Sequence, residues 1–407
     1  MTALPADLTI GQRIKRIREA RGITRKVLAG LLGRSEGWLK AVEKGRLQPP
    51  RLPMLVRIAE LLQVTDLSEL TGSAVSIPLA LFSAEAHPAL AVVRRAVDSA
   101  SLGLAGGGRV PDLDHVAAAL AAGWAARANR GDHRTALAEL LPGLVTSAAA
   151  AAGHPEVADQ RRAAALYAGA LNLVQMYVSY QGDGHLLWRT TERALATARA
   201  SGSAAAVGQA AWFTVEALRA GGQWESAQLL GEEALRLLTP VRQDSPELAA
   251  AWAAMAWQVA TTHARAGEGG NAWHWVDRAE AVARTLPDGW WSAPTSASAA
   301  ASVMHAVTVA VELRQPATAL NWASRLAPSA IPSRPRRARH LIEVARAHQL
   351  QRQPERTVEA LTEAAATAAE TVRWNGEAHG LVRELLDGPA SVRPAARQLA
   401  EVAGIAA

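Results

Sequence analysis

Residues 33–45 read GRSEGWLKAVEKG. Gly33 and Gly45 bracket a stretch of two to three helical turns, and Ser35 stands where a side-chain oxygen can accept the first free N–H groups of a helix. At about 100° per residue, Glu36, Gly37, Lys40, Ala41 and Lys44 share one face. Leu39, Val42 and Glu43 fall on the other, with Trp38 at the border. Such a helix buries one side and presents the other. What it presents depends on the segments around it.

Upstream, Ile10, Ile14 and Ile17 recur at i, i+4 and i+7, and Thr9-x-x-Gln12 is a capping box; Gly22 ends that helix. Thr24 caps a second helix carrying Val27, Leu28, Leu31 and Leu32, which Gly33 closes. Beyond Pro49-Pro50, Pro53 to Val64 gives a fourth helix with Leu55, Ile58, Ala59 and Leu62, and Asp66 to Leu70 a short fifth. Two helices joined through a Gly-containing turn, inside five short helices, imply a helix-turn-helix.

Charge singles out the same region. Residues 1–72 carry 13 Lys/Arg against 7 Asp/Glu, which is the whole net +6 of the chain, and the remainder is neutral. Charge alone also fits a solvated basic face, but its confinement to the helix-turn-helix points to a polyanion contact there. The chain has no cysteine, so disulfides and thiolate metal sites are excluded. Its first ten residues, MTALPADLTI, lack a basic and an apolar targeting region, and the apolar stretches are broken short of a bilayer span. The expectation is a cytoplasmic protein with no membrane partner.

GQRIKRIREARGITRKVLAGLLGRSEGWLKAVEKGRLQPP, followed by IAELLQV, resembles the xenobiotic-response-element (XRE) regulators, the group that includes the phage repressors and Cro. The match covers residues 10–70 and rests on R-x-x-R-G, T-x-x-x-L-A, L-G-x-S and E-x-G in matching order. The resemblance implies a structural ion pair between Arg18 and Glu43. It implies that Thr24 and Arg25 meet the phosphate backbone of double-stranded DNA, that Ser35, Glu36, Gly37, Trp38, Lys40, Ala41 and Lys44 approach it from the third helix, and that Arg46 and Arg51 flank the backbone or enter the minor groove. Glu36 can accept from a cytosine amino group and Ala41 can touch a thymine methyl, while Gly37 offers only close approach. Trp38 either packs on DNA or closes the edge of the core. Departure from the Gln-rich pattern of the family shifts weight to phosphate contacts and shape.

From Asp114 onward, Ala/Leu/Arg/Glu helices alternate with short turns: RGDH (130–133), QGDG (181–184), GGQW (221–224), AGEG (266–269), LRQP (313–316) and QRQP (351–354). Markers at Gly131, Gly182, Gly222, Gly267, Arg314 and Arg352 give a loose period, as helix-hairpin arrays allow. Small residues recur five and twelve positions after a marker: Ala227 with Ala234, Ala272 with Ala279, and singly Ala136, Ala194, Ala319 and Ala364. This pattern resembles tetratricopeptide repeats (TPR) over residues 114 to about 373. The expected fold is all-α: a five-helix repressor-like helix-turn-helix domain (1–72), a linker with one or two helices (73–113) holding a helix at Ala89–Ser101 and a hinge at Gly106–Gly108, and a right-handed TPR-like α-solenoid for sensing and dimerisation (114–407).

Thirteen tryptophans stand beside two phenylalanines and three tyrosines, and eight of them fall between Trp212 and Trp291. They either fill gaps between Ala-rich helices or line a pocket. The candidate effector residues are Asn172, Gln175, Gln209, Trp212, Trp252, Trp257 and Gln258. Arg334, Arg336, Arg337 and Arg339 read as a solvated helix start in preference to an anion site. No HExxH, Ser/His/Asp or phosphate-loop pattern appears, so neither an enzyme nor a cofactor or metal is expected.

Head and body together resemble bacterial regulators in which a repeat domain alters DNA binding. The expected function is a sequence-specific transcriptional regulator, a homodimer whose TPR-like domain senses a peptide or small molecule. An interaction scaffold, with the helix-turn-helix as an accessory, is the alternative. The excess of arginine over lysine and the abundance of alanine suggest an actinobacterial source.

Overall fold

In the computed structural model the described residues are 8–47, 49–50, 52–64, 66–72, 86–101, 112–154 and 157–405. Arg51 and the Gly106–Gly108 hinge lie outside them. Among the described residues every regular element is helical and no strand occurs.

The head consists of α1 (Ile10–Ala20), α2 (Arg25–Leu31), α3 (Glu36–Glu43), α4 (Leu52–Leu61) and α5 (Ser68–Thr71). Its first three helices start where local chemistry says they should. Thr9 and Gln12 close the capping box, and the hydroxyls of Thr24 and Ser35 accept from Val27 and Trp38 N–H. Ile14, Ile17, Leu28, Leu39, Ile58, Leu62, Leu67 and Leu70 interlock as one core. Val27 and Leu31 do not join it, contrary to the sequence pattern, and remain 52% and 54% exposed. The seven-residue α2 turns only Leu28 and Ala29 inward, and Leu32 follows from its C-cap. Gly11 lets α1 meet the end of α3, since a β-carbon there would lie 2.0 Å from the Val42 carbonyl oxygen.

The body begins with α6 (Leu90–Ser101), whose Leu90, Val93 and Val97 enter the core of the array that follows. Thus part of the segment read as a linker is structural body. Six helix hairpins come next: α7 (Leu113–Asn129) with α8 (His133–Gly153), α9 (Gln160–Val178) with α10 (Gly184–Ser201), and α11 (Ala204–Ala220) with α12 (Trp224–Leu238). Then follow α13 (Pro246–Arg265) with α14 (Gly269–Ala283), α15 (Ala299–Glu312) with α16 (Pro316–Ala323), and α17 (Arg334–Leu350) with α18 (Pro354–Thr367). The chain closes with α19 (Ala369–Arg373), α20 (Gly376–Leu386) and α21 (Arg393–Ala403).

Each turn motif read from the sequence separates the two helices of one hairpin. Gly182, Gly222 and Gly267 are left-handed there, and Arg314 and Arg352 adopt the same conformation at φ 56° and 58°. The small residues that recur after the markers, from Ala136 to Ala364, are all buried between helices. By length and composition α8 could cross a membrane, but it is packed against α6, α7 and α9 with Leu137, Leu141, Val145 and Ala148 buried.

The array returns on itself. Helix α17 packs against α7, and the Glu370 carboxylate of α19 accepts from the Arg134 and Thr135 backbone N–H groups and the Thr135 hydroxyl of α8. Arg334 Nε donates to the Thr367 carbonyl at 3.0 Å. The first helices of the hairpins therefore surround an inner face.

Candidate nucleic-acid interface and inner face

Helix α3 is anchored from beneath by charge as well as by Leu39 and Val42. Glu43 is buried, and its carboxylate accepts from Arg18 Nε at 2.6 Å and Nη2 at 3.2 Å. Arg18 also donates to the Ile23 carbonyl at 2.9 Å, tying the α1–α2 turn to α3. The hydrogen bond to Glu43 raises the Arg18 pKa, so this guanidinium stays charged. The expected pair is in fact a triad, because Arg25 Nε donates at 2.8 Å to Glu43 Oε2, the oxygen that also accepts from Arg18 Nη2. Arg25, read as a phosphate contact, has its guanidinium held by Glu43; its position at the start of α2 brings it over the end of α3.

With that underside fixed, Ser35, Glu36, Gly37, Lys40 and Lys44 are exposed along one side of α3, and Ala41 is half-buried among them. Thr24 and Arg46 are exposed at its flanks. Trp38 is half-buried against the head core with the Arg34 guanidinium 5.7 Å from its ring centre, so it closes the edge of the core. Nothing but its own Ser35 lies within 4 Å of a β-carbon built on Gly37, so the glycine leaves open space toward a ligand.

The candidate effector residues of the body divide. Asn172 is fully buried on α9 with neither amide atom partnered, and Gln175 donates to the Phe213 carbonyl at 2.7 Å while its own carbonyl is unpartnered. Gln258 on α13 accepts from Arg219 Nη1 at 2.5 Å. Trp257, fully buried, stacks on His305 at 4.8 Å. Gln209 is half-buried. Trp212 packs edge-on against Phe213 within the core, and Trp252 faces α14, against Trp275 and Arg278. The structure thus brings Trp257 and Gln258 to the inner face with Asn172 and Gln175 nearby in the array, and leaves Trp212 and Trp252 in helix packing.

The arginine run at the start of α17, read as solvated, is the clearest departure. Arg334 and Arg337 hold the carbonyls of Thr367 and Ile331, whereas Arg336 and Arg339 turn inward. Sequence reading also missed the other inward arginines: Arg127 on α7, Arg134 on α8, Arg219 on α11, Arg265 on α13 and Arg346 on α17. A period of three to four through the α17 run holds the only signal, since Arg336, Arg339, Glu343 and Arg346 share a helix face.

These arginines fall into two groups. Arg265 and Arg346 meet Glu312 at 3.1 Å, and Arg339 and Arg346 meet Glu343 at 2.7 Å. Burial works to raise the Glu343 carboxyl, but Arg346 and Arg339 overcome it and hold the group down to about 2. In contrast, the guanidiniums of Arg127, Arg134, Arg219 and Arg336 have no carboxylate within 4 Å among the described residues. Arg127 Nη2 approaches only the Met176 sulfur at 3.6 Å, Arg134 donates to the Tyr177 carbonyl, and Arg336 Nη2 to His305 Nε2 at 3.4 Å. Desolvation lowers all four, Arg127 to about 9 and Arg134 and Arg219 to about 10, so all remain cationic at neutral pH. His305 is pushed well below 6.5 by burial and by Arg336 and Arg219, which leaves Nε2 free to accept.

Residues 9–70 match the family described as a helix-turn-helix domain. No curated protein matches the chain. Among solved structures, BtubC from P. vanneervenii is 13% identical, with a TM-score of 0.35 over 51% of this chain and 82% of that one. Bacillus thuringiensis PlcR, in a complex with the peptide PapR7 and DNA, is 13% identical, with a TM-score of 0.25 over 69% of this chain and 99% of that one. At these scores neither neighbour specifies a ligand or an assembly for this chain.

Proposed function

We propose that this chain is a bacterial transcriptional regulator that acts in the cytoplasm as a homodimer. Its head binds double-stranded DNA, and its helical array carries the dimer contact and senses a small effector. It is a binder and not an enzyme. The observation that carries the reading is the two-sided construction of α3. One side is pinned by Leu39, Val42 and the Arg18–Glu43–Arg25 triad, while Glu36, Gly37, Lys40 and Lys44 stay open to solvent on a head that holds all the excess positive charge of the chain. A helix held rigidly below and open above suits insertion in a major groove. An effector on the inner face changes DNA binding only if it favours one arrangement of the two heads over another.

The test is selection of genomic fragments by the purified chain at about 150 mM salt, where purely phosphate-driven binding is weakened. Lys40→Ala is the control, because both of the groups it removes from the interface are exposed charge and stem and no packing is lost. The expected result is an enriched inverted repeat with half-sites about one helical turn apart. Lys40→Ala should weaken binding across sequences and reduce the salt slope by about one. Equal retention of specific and random fragments defeats the reading and favours the scaffold alternative.

A further inference from the structure

We propose that Arg127, Arg134, Arg219 and Arg336 form an inner-face site for a small organic anion bearing at least two negative charges, of carboxylate or phosphate chemistry. This names the effector class of the sensing role above and depends on that role for its biological sense, although the binding itself does not.

Four guanidinium groups come from four helices, α7, α8, α11 and α17, and influence one another. Arg127 and Arg134 reach the adjacent α9 residues Met176 and Tyr177, Arg336 reaches His305, which stacks on Trp257, and Arg219 reaches the next residue, Gln258, while α17 packs on α7 and brings the two pairs together. Glu216 lies within electrostatic range of Arg127, Arg219 and Arg336, Glu370 of Arg134, Glu312 of Arg219 and Glu343 of Arg336, yet none of them pairs with any of the four guanidiniums. With the paired arginines included, Arg127, Arg134, Arg219, Arg265, Arg336, Arg339 and Arg346 face Glu216, Glu312, Glu343, Glu370 and Glu377, which leaves two positive charges uncompensated, and a dianion would neutralise them. A desolvated guanidinium without a counter-charge is strongly unfavourable. The same inner face shows what a compensated arrangement looks like, in Arg265, Arg339 and Arg346 around Glu312 and Glu343.

Unused hydrogen-bonding capacity lies in the same place. The Nε atoms of Arg127, Arg134 and Arg336 have no acceptor, although they are buried. One helical turn before Met176, which Arg127 touches, Asn172 is fully buried with both amide atoms unpartnered. Arg134 is itself more than nine-tenths buried. Planar guanidinium forks suit carboxylate and phosphate oxygens, and a buried amide can serve a neutral polar group beside them. The charge is gathered at one locality instead of being strung along the array, which favours a compact anion over an extended chain.

The experiment is thermal unfolding and titration calorimetry of the full chain, with sodium pyrophosphate and sodium citrate as probes against sodium chloride at equal ionic strength. The melting temperature should rise with probe concentration, because a ligand that binds only the folded state stabilises it by mass action. Arg336→Gln and Arg219→Gln should each weaken binding at least tenfold, and Arg236→Gln, at an exposed position, should leave it unchanged. Removing an uncompensated charge should leave the unliganded Arg336→Gln chain at least as stable as the parent, so lost binding will not be lost folding. A preference for citrate or for pyrophosphate tells carboxylate from phosphate chemistry. The site is refuted if neither probe exceeds sodium chloride, or if Arg336→Gln responds as the parent does. The same titrations on a selected DNA fragment separate the two readings: anion binding with unchanged DNA affinity keeps the site and sinks sensing by it. DNA affinity that answers to another ligand, with no anion bound, does the reverse.

Discussion

The head and the inner face of the body both bury arginine, and they treat it differently. Under α3, Arg18 and Arg25 share one carboxylate, and Glu43 is hidden from water by the core it supports. On the inner face, Arg265, Arg339 and Arg346 are paired with carboxylates in the same manner while Arg127, Arg134, Arg219 and Arg336 are not. A paired buried charge holds elements in register; an unpaired one stores a demand for a counter-ion. The head therefore reads as finished structure, and the inner face as structure awaiting a component.

Breaking the head triad should produce the largest effect. Glu43→Ala leaves two guanidiniums facing a space that held their carboxylate, at a cost of about 3–5 kcal/mol. Hydrogen exchange of α1 and α3 amides in the full chain would register the loss locally. The double variant Arg18→Met with Glu43→Leu should lose less than Glu43→Ala, since it removes the stranded charge with its partner. A Glu43→Ala loss below about 1 kcal/mol would show that the arginines rehydrate freely, and would erase the contrast with the inner face.

Two glycines of the head sharpen the comparison next. Gly11→Ala would set a β-carbon 2.0 Å from the Val42 carbonyl oxygen, and backbone must move to relieve it. The expected loss is about 1–3 kcal/mol. Gly37→Ala meets open space and should stabilise α3 by up to about 1 kcal/mol, because glycine is a poor helix former. Denaturant unfolding followed through head amides distinguishes them by sign. Equal effects would mean that α3 is not pressed against α1.

Much of the head was legible before any coordinates, because its determinants are local. Thr9, Thr24 and Ser35 cap helices through atoms three residues away, and the hairpin turns of the body announce themselves by marker residues within four positions. What stayed hidden depends on angles between helices. Arg25 reaches Glu43 only because α2 crosses the end of α3, and Val27 and Leu31 are exposed because a seven-residue helix has too few turns to bury both sides. The run Arg334–Arg339 has the composition of a solvated face; its inward turn follows from the array closing so that α17 meets α7. No local pattern records that closure.

Acid should act on the body before it acts on the head. Burial first, and then Arg336, hold the His340 imidazole down to about 4 despite Glu343. In the unfolded chain the same group titrates near 6.5. The folded state thus binds this proton less well, so the stability that depends on a neutral His340 is complete above about pH 6.5 and is lost as pH falls toward 4. Between pH 7 and pH 5 the loss should reach about 2 kcal/mol. Urea unfolding at the two pH values measures it, and His340→Gln should shrink the difference. His133 and His305, lowered by burial and by neighbouring arginines, keep part of it. Glu343, held down to about 2, contributes its stability above the unfolded carboxyl range and loses it only at lower pH, so it does not enter this window.

The smallest effect concerns the turns. Gly182, Gly222 and Gly267 occupy a left-handed conformation without a β-carbon to strain it, while Arg314 and Arg352 hold the same conformation with one. A non-glycine residue there costs about 1 kcal/mol or more, and glycine returns part of that gain as extra freedom in the unfolded chain. Arg314→Gly and Arg352→Gly should therefore each raise stability by a few tenths of a kcal/mol, readable as a small rise in melting temperature. Both positions lie in hairpins beside the paired arginine network, where Pro316 and Pro354 already begin the second helices. Proline two residues on restricts the unfolded chain from the other side, so the late turns hold their shape by rigidity where the earlier ones use glycine. If the substitutions destabilise instead, the arginine side chains contribute to the turn, and the resemblance between early and late hairpins is one of backbone shape alone.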